Sequence, residues 1–304
     1  MGVDRIMKPK LKLGFADTHN HLATFFLNVL MRRYDVEVDN ETPEFLIFGD
    51  DNFGQDNRKF SRDDVVKIFY TGENKRPEKY DCDYAISFDH SLNPWHFRLP
   101  LFVVYMWALE HIHKTNYKYE YIFNPTEVKE KTSFASFVVS NPNCKQRNDF
   151  FNKLNEYKTV DSGGKLFNNI SANLEGEKAK IDFLSTRKFN ICFESYTHPG
   201  YVTEKILHAF YAQTLPIYWG SPTIAADFNP HAFINVHRFS SFDKAIEHVK
   251  RIDDDNDLYN MHLSQPKFVH NIPPYYIDLE NFLNWFDAIV YRRIKKREDT
   301  VIYF

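Results

Sequence analysis

The 304-residue chain is predicted to be an α/β protein with two parallel-sheet domains. Three observations lead there. Short apolar runs such as FLIFG (45–49) and VVKIFY (65–70) suit strands buried on both faces. They alternate with helix-period or looped segments that can serve as parallel crossovers. The alternation lapses over 112–131 and resumes at FASFVVSN (134–141), which calls for a second sheet.

Residues 10–16 read as the first strand, followed by the polar cluster Asp17-Thr18-His19-Asn20-His21. Phe26, Val29 and Leu30 recur at helical spacing and predict an amphipathic helix over 22–34. The runs 45–49, 65–70 and 84–88 are further strands, the middle one ending in the loop Thr71-Gly72-Glu73-Asn74. A mixed apolar run, 101–107, follows Pro100, and the domain boundary is placed near residue 130. The second series comprises a strand at 134–141, a helix over 145–157, a loop at Gly163-Gly164 and a run over 181–186. After the stretch 189–221 come a strand at 232–239 and a helix over 242–252, with Ser240 and Ser241 placed to cap it and Asp243 in its first turn. Leu279, Phe282, Leu283, Phe286 and Val290 share helical spacing in a final helix over 276–297.

Composition narrows the function. With 38 Lys+Arg against 41 Asp+Glu, the net charge of −3 gives no sign of nucleic-acid binding. The three cysteines, Cys82, Cys144 and Cys192, show neither zinc spacing nor a disulfide framework, so reduced thiols in a cytoplasmic protein are expected. No window is long and apolar enough to cross a membrane. The basic end RRIKKRE (292–298) reads as a solvated helix end, with weak association at the inner membrane surface as the other use. A monomer or a dimer is expected.

The stretch FNICFESYTHPGYVTEKILHAFYAQTLPIYWGS (189–221) reads strand, turn, helix, strand. Open α/β sheets bind ligands at the carboxyl ends of strands, where Glu194, Tyr201, Thr203, Glu204 and Lys205 gather here. A lysine in the first turn of a helix opposes the macrodipole unless an anion lies nearby, and a pyrophosphate would suit. A buried βαβ unit with an exposed polar turn explains the same residues. Arg147, at the start of the helix over 145–157, poses the same choice between an anionic ligand and a solvated surface arginine. Glu73, just past a strand, is placed for general-base work or belongs to an ordinary Gly-containing turn. The Asp-x-His-x-His pattern at Asp17, His19 and His21 opens a separate reading: in an extended segment both histidines share a face and could bind zinc, as the opening ligands of a metal-dependent barrel hydrolase.

The order of motifs resolves most of these choices. TGEN after a strand, DYAISFD, RLP, FASFVVSN with an arginine six residues on, YVTEKI, PIYWGSP, DFNP and FINV follow one another in a succession similar to the bacterial α-1,3-fucosyltransferases that build Lewis-type glycans. The resemblance runs from about residue 10 to 285, and YVTEK with IYWGSP is its most specific part. It implies a GT-B fold: two Rossmann-like α/β domains facing across a cleft. Residues 1–130 would bind acceptor, 131–275 GDP-fucose, and 276–304 would form a helix crossing back to the N-terminal domain. It further implies inverting transfer of L-fucose from GDP-β-L-fucose to the 3-hydroxyl of GlcNAc, or glucose, in N-acetyllactosamine-type glycans, or mixed 3- and 4-hydroxyl transfer. By the same likeness Glu73 is the general base, Arg147 and Lys205 hold the pyrophosphate, Tyr201 contacts phosphate or fucose, and Glu204 accepts from the ribose hydroxyls. Ser195 and Thr203 complete the donor contacts. No metal is required, although Mn2+ or Mg2+ could stimulate. Two departures stand out: Phe193-Glu194-Ser195 where the family usually has Phe-Glu-Asn, and the Thr18-His19-Asn20-His21 loop, expected to face acceptor, where relatives are aromatic.

Overall fold

A computed structural model describes residues 7–123, 129–171 and 174–301, with side chains described as far as residue 295. The chain forms two compact units, one of 1–99 with 275–304 and one of 100–274.

The first unit opens with β1 (Lys10–Ala16), α1 (Asn20–Leu30) and β2 (Asp35–Val38), then β3 (Phe45–Phe48), β4 (Val66–Tyr70), β5 (Tyr84–Ser87) and β6 (His96–Arg98). These strands make one parallel sheet of order β2-β1-β3-β4-β5-β6. β3 and β4 are buried along their whole length, as apolar strands covered on both faces must be. α1 starts earlier than its apolar period suggests, because His19 sits in the N-cap position with Nδ1 accepting from His21 N at 3.3 Å. It also stops earlier, at Leu30, so residues 31–34 lead to β2, a mostly exposed strand that the apolar pattern did not reveal.

The second unit begins at α2 (Leu101–His111), which resolves the ambiguous run after Pro100 as a helix. It is apolar nearly all round, and such a helix must be buried. It packs on partners in the second unit: Phe102 against Phe228 at 4.9 Å and Tyr105 against His208 at 5.8 Å. The compact units therefore divide at Leu99 and Pro100, whereas loss of period had suggested residue 130. Then follow β7 (Ser133–Phe137), α3 (Lys145–Tyr157), β8 (Val160–Ser162), α4 (Gly176–Ser185), β9 (Arg187–Phe193), α5 (Glu204–Tyr211), β10 (Leu215–Trp219), β11 (Ile234–Asn235), α6 (Phe242–Asp254) and α7 (Asn256–Leu263). Their parallel sheet has the order β11-β10-β9-β7-β8. Ser241 caps α6, accepting from Lys244 N at 3.3 Å, with Asp243 in the first turn as expected. The expected strand 232–239 shrinks to β11, since Val236–Arg238 curl into a 3-10 turn.

The last helix, α8 (Leu279–Val301), belongs to the first unit. Phe282 packs against Phe26 at 5.8 Å, and Phe286 against Tyr34 and Phe45 at 5.9 and 6.0 Å. Arg33 ties the same helix down through Asn284, Glu280 and Asp287. The RRIKKRE side chains beyond Lys295 lie outside the described residues. Among the described residues no helix is long and apolar enough to cross a membrane.

Phe286 is fully buried. Phe286→Ala is expected to destabilise the first unit by about 3–5 kcal/mol through the cavity it leaves. Urea unfolding followed by tryptophan fluorescence checks this: the transition should move to lower denaturant, and an unchanged midpoint would show that α8 does not hold this core.

Candidate functional site

Both sheets share one topological feature. The second strand in sequence lies outside the first, and the third lies on the first strand's other side, so strand order reverses between β1 and β3 and between β7 and β9. Crevices at the carboxyl ends of such strand pairs are where open α/β sheets bind ligands.

In the second unit, β9 ends at Phe193 and the next residue, Glu194, is fully buried. Its carboxylate accepts from Thr203 N at 2.8 Å, Thr203 Oγ1 at 2.7 Å and Lys205 Nζ at 3.1 Å. Lys205 Nζ also donates to Thr203 Oγ1 at 2.8 Å and to Glu204 Oε1 at 3.4 Å. A carboxylate, a hydroxyl and an ammonium thus close a ring at the start of α5. Two glycines let the chain fit around it. A Cβ at Gly220 would lie 2.5 Å from Glu194 Cγ, so only glycine admits that approach. Gly200, with φ at +81°, takes a left-handed conformation and donates its N–H to Ser221 Oγ at 2.9 Å and Thr223 Oγ1 at 3.0 Å.

The charges in this ring are matched. Burial works against the charge on Lys205, but Glu194 and Glu204 outweigh it and hold the pKa above the usual lysine value. Burial likewise opposes ionisation of Glu204, and Lys205 and Lys180 outweigh it, keeping the carboxyl well below its ordinary range. Both side chains retain partial exposure, 22% for Lys205 and 16% for Glu204.

Arg147 is in a different state. It projects from α3, the helix after β7, and is only 2% exposed. One guanidinium nitrogen donates to Asn141 O, while Nε has no hydrogen-bond partner among the described residues. No carboxylate pairs with it there, and burial pushes its pKa down against the pull of Cys144 and Glu194. A buried cation lacking a counter-ion is costly by itself and is met by an anion. Tyr201 and Thr203 are buried, and Ser195 is half-buried just past Glu194. The β7–β9 reversal thus brings together Arg147, Ser195, Thr203, Glu204 and Lys205 from two sequence regions.

Glu73 lies in the first unit, past the end of β4, and is exposed. Its loop is held by Thr71, whose hydroxyl donates to Asp50 Oδ2 at 3.0 Å and accepts from Glu73 N at 3.0 Å. At the β1–β3 reversal Asp17, with φ at +51°, uses both carboxylate oxygens on the facing loop: Asp56 N at 2.8 Å, Asn57 N at 2.9 Å and Asn57 Nδ2 at 2.7 Å. Thr18 is half-buried, and His19, Asn20 and His21 are exposed. The hydrolase reading is overturned here. It needed Asp17 as a ligand, an extended His19–His21 segment and a closed barrel. Asp17 instead clamps a loop, His21 lies within α1, and the sheets are open. Among the described residues no group of three or more His, Cys, Asp or Glu could hold a metal ion.

Glu194 and Gly220 are the contributors that motif reasoning left without a role. The signal for Glu194 was present: a carboxylate directly after an apolar strand is costly unless its partners follow.

Residues 12–105 match the family description of an alpha-(1,3)-fucosyltransferase FucT N-terminal domain, and 128–274 that of glycosyltransferase family 10 (fucosyltransferase), C-terminal part. The chain belongs to this fucosyltransferase family, with the α/β fold of GT-B type. Among its relatives is the alpha-(1,3)-fucosyltransferase FucT of Helicobacter pylori, 37% identical over 259 residues, covering 76% of this chain and 53% of that protein. Another is 4-galactosyl-N-acetylglucosaminide 3-alpha-L-fucosyltransferase 9 of Mus musculus, 30% identical over 49% of this chain and 42% of the relative. The chain therefore spans about half the length of the curated relatives it matches. A crystal structure of an alpha1,3-fucosyltransferase matches with a TM-score of 0.78 at 30% identity, covering 94% of this chain and 92% of that one. Another, described with GDP-fucose, matches with a TM-score of 0.75 at 29% identity over 95% and 93%.

Proposed function

We propose that the protein is an inverting α-1,3-fucosyltransferase, moving L-fucose from GDP-β-L-fucose to the 3-hydroxyl of GlcNAc, or glucose, in an N-acetyllactosamine-type glycan. The observation that carries this reading is the buried Arg147, without an ion pair among the described residues, near the Lys205 ring at the β7–β9 reversal. It is an anion site in a chain whose similar structures include complexes with GDP-fucose and GDP.

Arg147 takes the diphosphate as its counter-ion in this scheme. Lys205 presents its exposed edge to the same phosphates while Glu194 retains it, and Glu204 accepts from the ribose hydroxyls. Thr203, Ser195 and Tyr201 complete the donor contacts. Charge-assisted hydrogen bonds of this kind are worth about 1.5–3 kcal/mol each. They act on the leaving GDP, where negative charge grows as the glycosidic bond breaks. Glu73 removes the proton from the attacking acceptor hydroxyl, a contribution of roughly 10²–10⁴ in rate. Attack opposite the departing diphosphate inverts the anomeric carbon.

Glu73→Gln should lose nearly all transfer and keep GDP affinity, whereas Arg147→Ala and Lys205→Ala should lose both. Calorimetry with GDP, alongside a transfer assay, checks the division. Equal loss of GDP binding in Glu73→Gln would refute it.

The phosphates are neutralised by side chains in this reading, with Mn2+ or Mg2+ at most stimulatory. Transfer should persist in EDTA, with added Mn2+ raising it less than about tenfold, the scale of one modest ionic contact. Complete loss in EDTA, restored by Mn2+, would make metal essential.

Acceptor contacts are assigned to Thr18, His19, Asn20 and His21, the exposed loop at the first unit's own strand-order reversal. His19→Ala and His21→Ala should raise acceptor KM and leave GDP affinity unchanged. A panel of type 1, type 2 and glucose-ending acceptors with product linkage mapping reads both this and 3- against 4-hydroxyl transfer. Unchanged acceptor KM in both variants would move the acceptor site elsewhere. The chain is proposed to act as a monomer or dimer in the cytoplasm, with peripheral association at the inner membrane surface as the closest approach to lipid.

A further inference from the structure

We infer that Glu194 is a positioning residue of the donor site, whose buried carboxylate sets the first turn of α5 and holds Lys205 charged and aimed at the donor diphosphate. The inference rests on the GDP-fucose reading above and adds a residue to it.

Glu194 is fully buried, and its three donors come from the same short segment: the Thr203 N–H, the Thr203 hydroxyl and the Lys205 ammonium. A carboxylate at a helix start is favoured by the exposed N–H groups. Helix capping alone does not explain the arrangement. Thr203 occupies the N-cap position, where a threonine hydroxyl ordinarily accepts from a backbone N–H one turn on. Here it makes no such bond; it donates to Glu194 Oε2 and accepts from Lys205 Nζ. The hydroxyl has been diverted from the helix to bridge the carboxylate and the ammonium, so the geometry maintained is that of Lys205. Gly220 reinforces this, because any side chain there would displace Glu194.

Lys205 keeps 22% exposure, so it can meet a ligand without leaving Glu194. The charged and titratable groups facing it among the described residues are Glu194, Glu204, Tyr201, His208 and Cys192, with Lys180 acting on Glu204 and Arg147 drawn to Glu194. A bound diphosphate adds negative charge to a pair of cations and a pair of carboxylates. Removing the Glu194 charge would leave Lys205 more readily deprotonated as pH rises, and the loss would appear on the alkaline side.

GDP titration calorimetry on the full chain at about pH 7 and about pH 8.5 tests this, with thermal unfolding as the check on folding. Glu194→Gln keeps an acceptor oxygen and removes the charge. It should bind GDP about tenfold or more weakly at the lower pH, the loss of one charge-assisted contact. The ratio to wild type should widen further at the higher pH, a trend that a purely structural role would not produce. Equal affinity of variant and wild type, or a ratio that does not change with pH, overturns the inference. If Glu194→Gln does not fold, Glu194→Asp decides: it keeps the charge and draws the carboxylate one methylene back from Thr203 and Lys205. GDP binding weakened several-fold at both pH values with wild-type melting supports the role, and unchanged binding overturns it. Wild-type protein that binds no GDP would overturn the donor reading, and this inference with it.

Discussion

A carboxylate sealed from water has to find its hydrogen bonds in the protein, and Glu194 finds them all within three residues at the head of α5. That requirement organises the second unit's crevice. It fixes how the chain leaves β9, where Thr203 places the helix start, and why position 220 on the neighbouring strand's end must be glycine. It also stabilises a lysine where the helix dipole alone would disfavour one. Remove the carboxylate and the remaining features have no common cause.

The two cations of the site then separate by electrostatic state. Lys205 is balanced by two carboxylates before any ligand arrives, whereas Arg147 is buried without an ion pair among the described residues. In the proposed reaction the arginine supplies most of the unmet attraction for a diphosphate, and the lysine supplies a charge whose position is already set. A site so arranged need not reorganise when negative charge grows on the leaving group, the condition under which fixed charges contribute most to rate.

The first unit solves a similar problem with different residues. At its own strand-order reversal Asp17 spends both oxygens on the 54–57 loop, and at the adjoining strand end Asp50 accepts from Thr71, which in turn holds the backbone of Glu73. Buried carboxylates fix loops in both units. Beside them stand the residues proposed for the acceptor side: Glu73, His19, Asn20 and His21, which are exposed, and Thr18, which is half-buried.

The strands of both sheets were legible because a parallel strand buried on both faces leaves an uninterrupted apolar run, as in 45–49 and 66–70. β2, β6 and β8 were not, since a short strand at a sheet margin needs no such run, and α2 was ambiguous because a helix apolar all round has lost its period. The candidate site was legible as residue types: Glu73 follows a strand, Arg147, Glu204 and Lys205 stand in first turns of helices, and the order of the motifs around them carries the family likeness. Sequence alone also raised a metal-ligand pattern at Asp17, His19 and His21. Only the fold showed that His19 stands at the start of α1 with His21 inside it, and that Asp17 clamps a loop. Sequence by itself determined the family and which charged side chains stand at strand and helix ends, since both depend on residue identity and order along the chain. Tertiary structure alone decided which charges are already satisfied, because pairing and burial depend on distances between residues far apart in the chain: Arg147 is left without a counter-ion among the described residues, and Lys205 is held by Glu194.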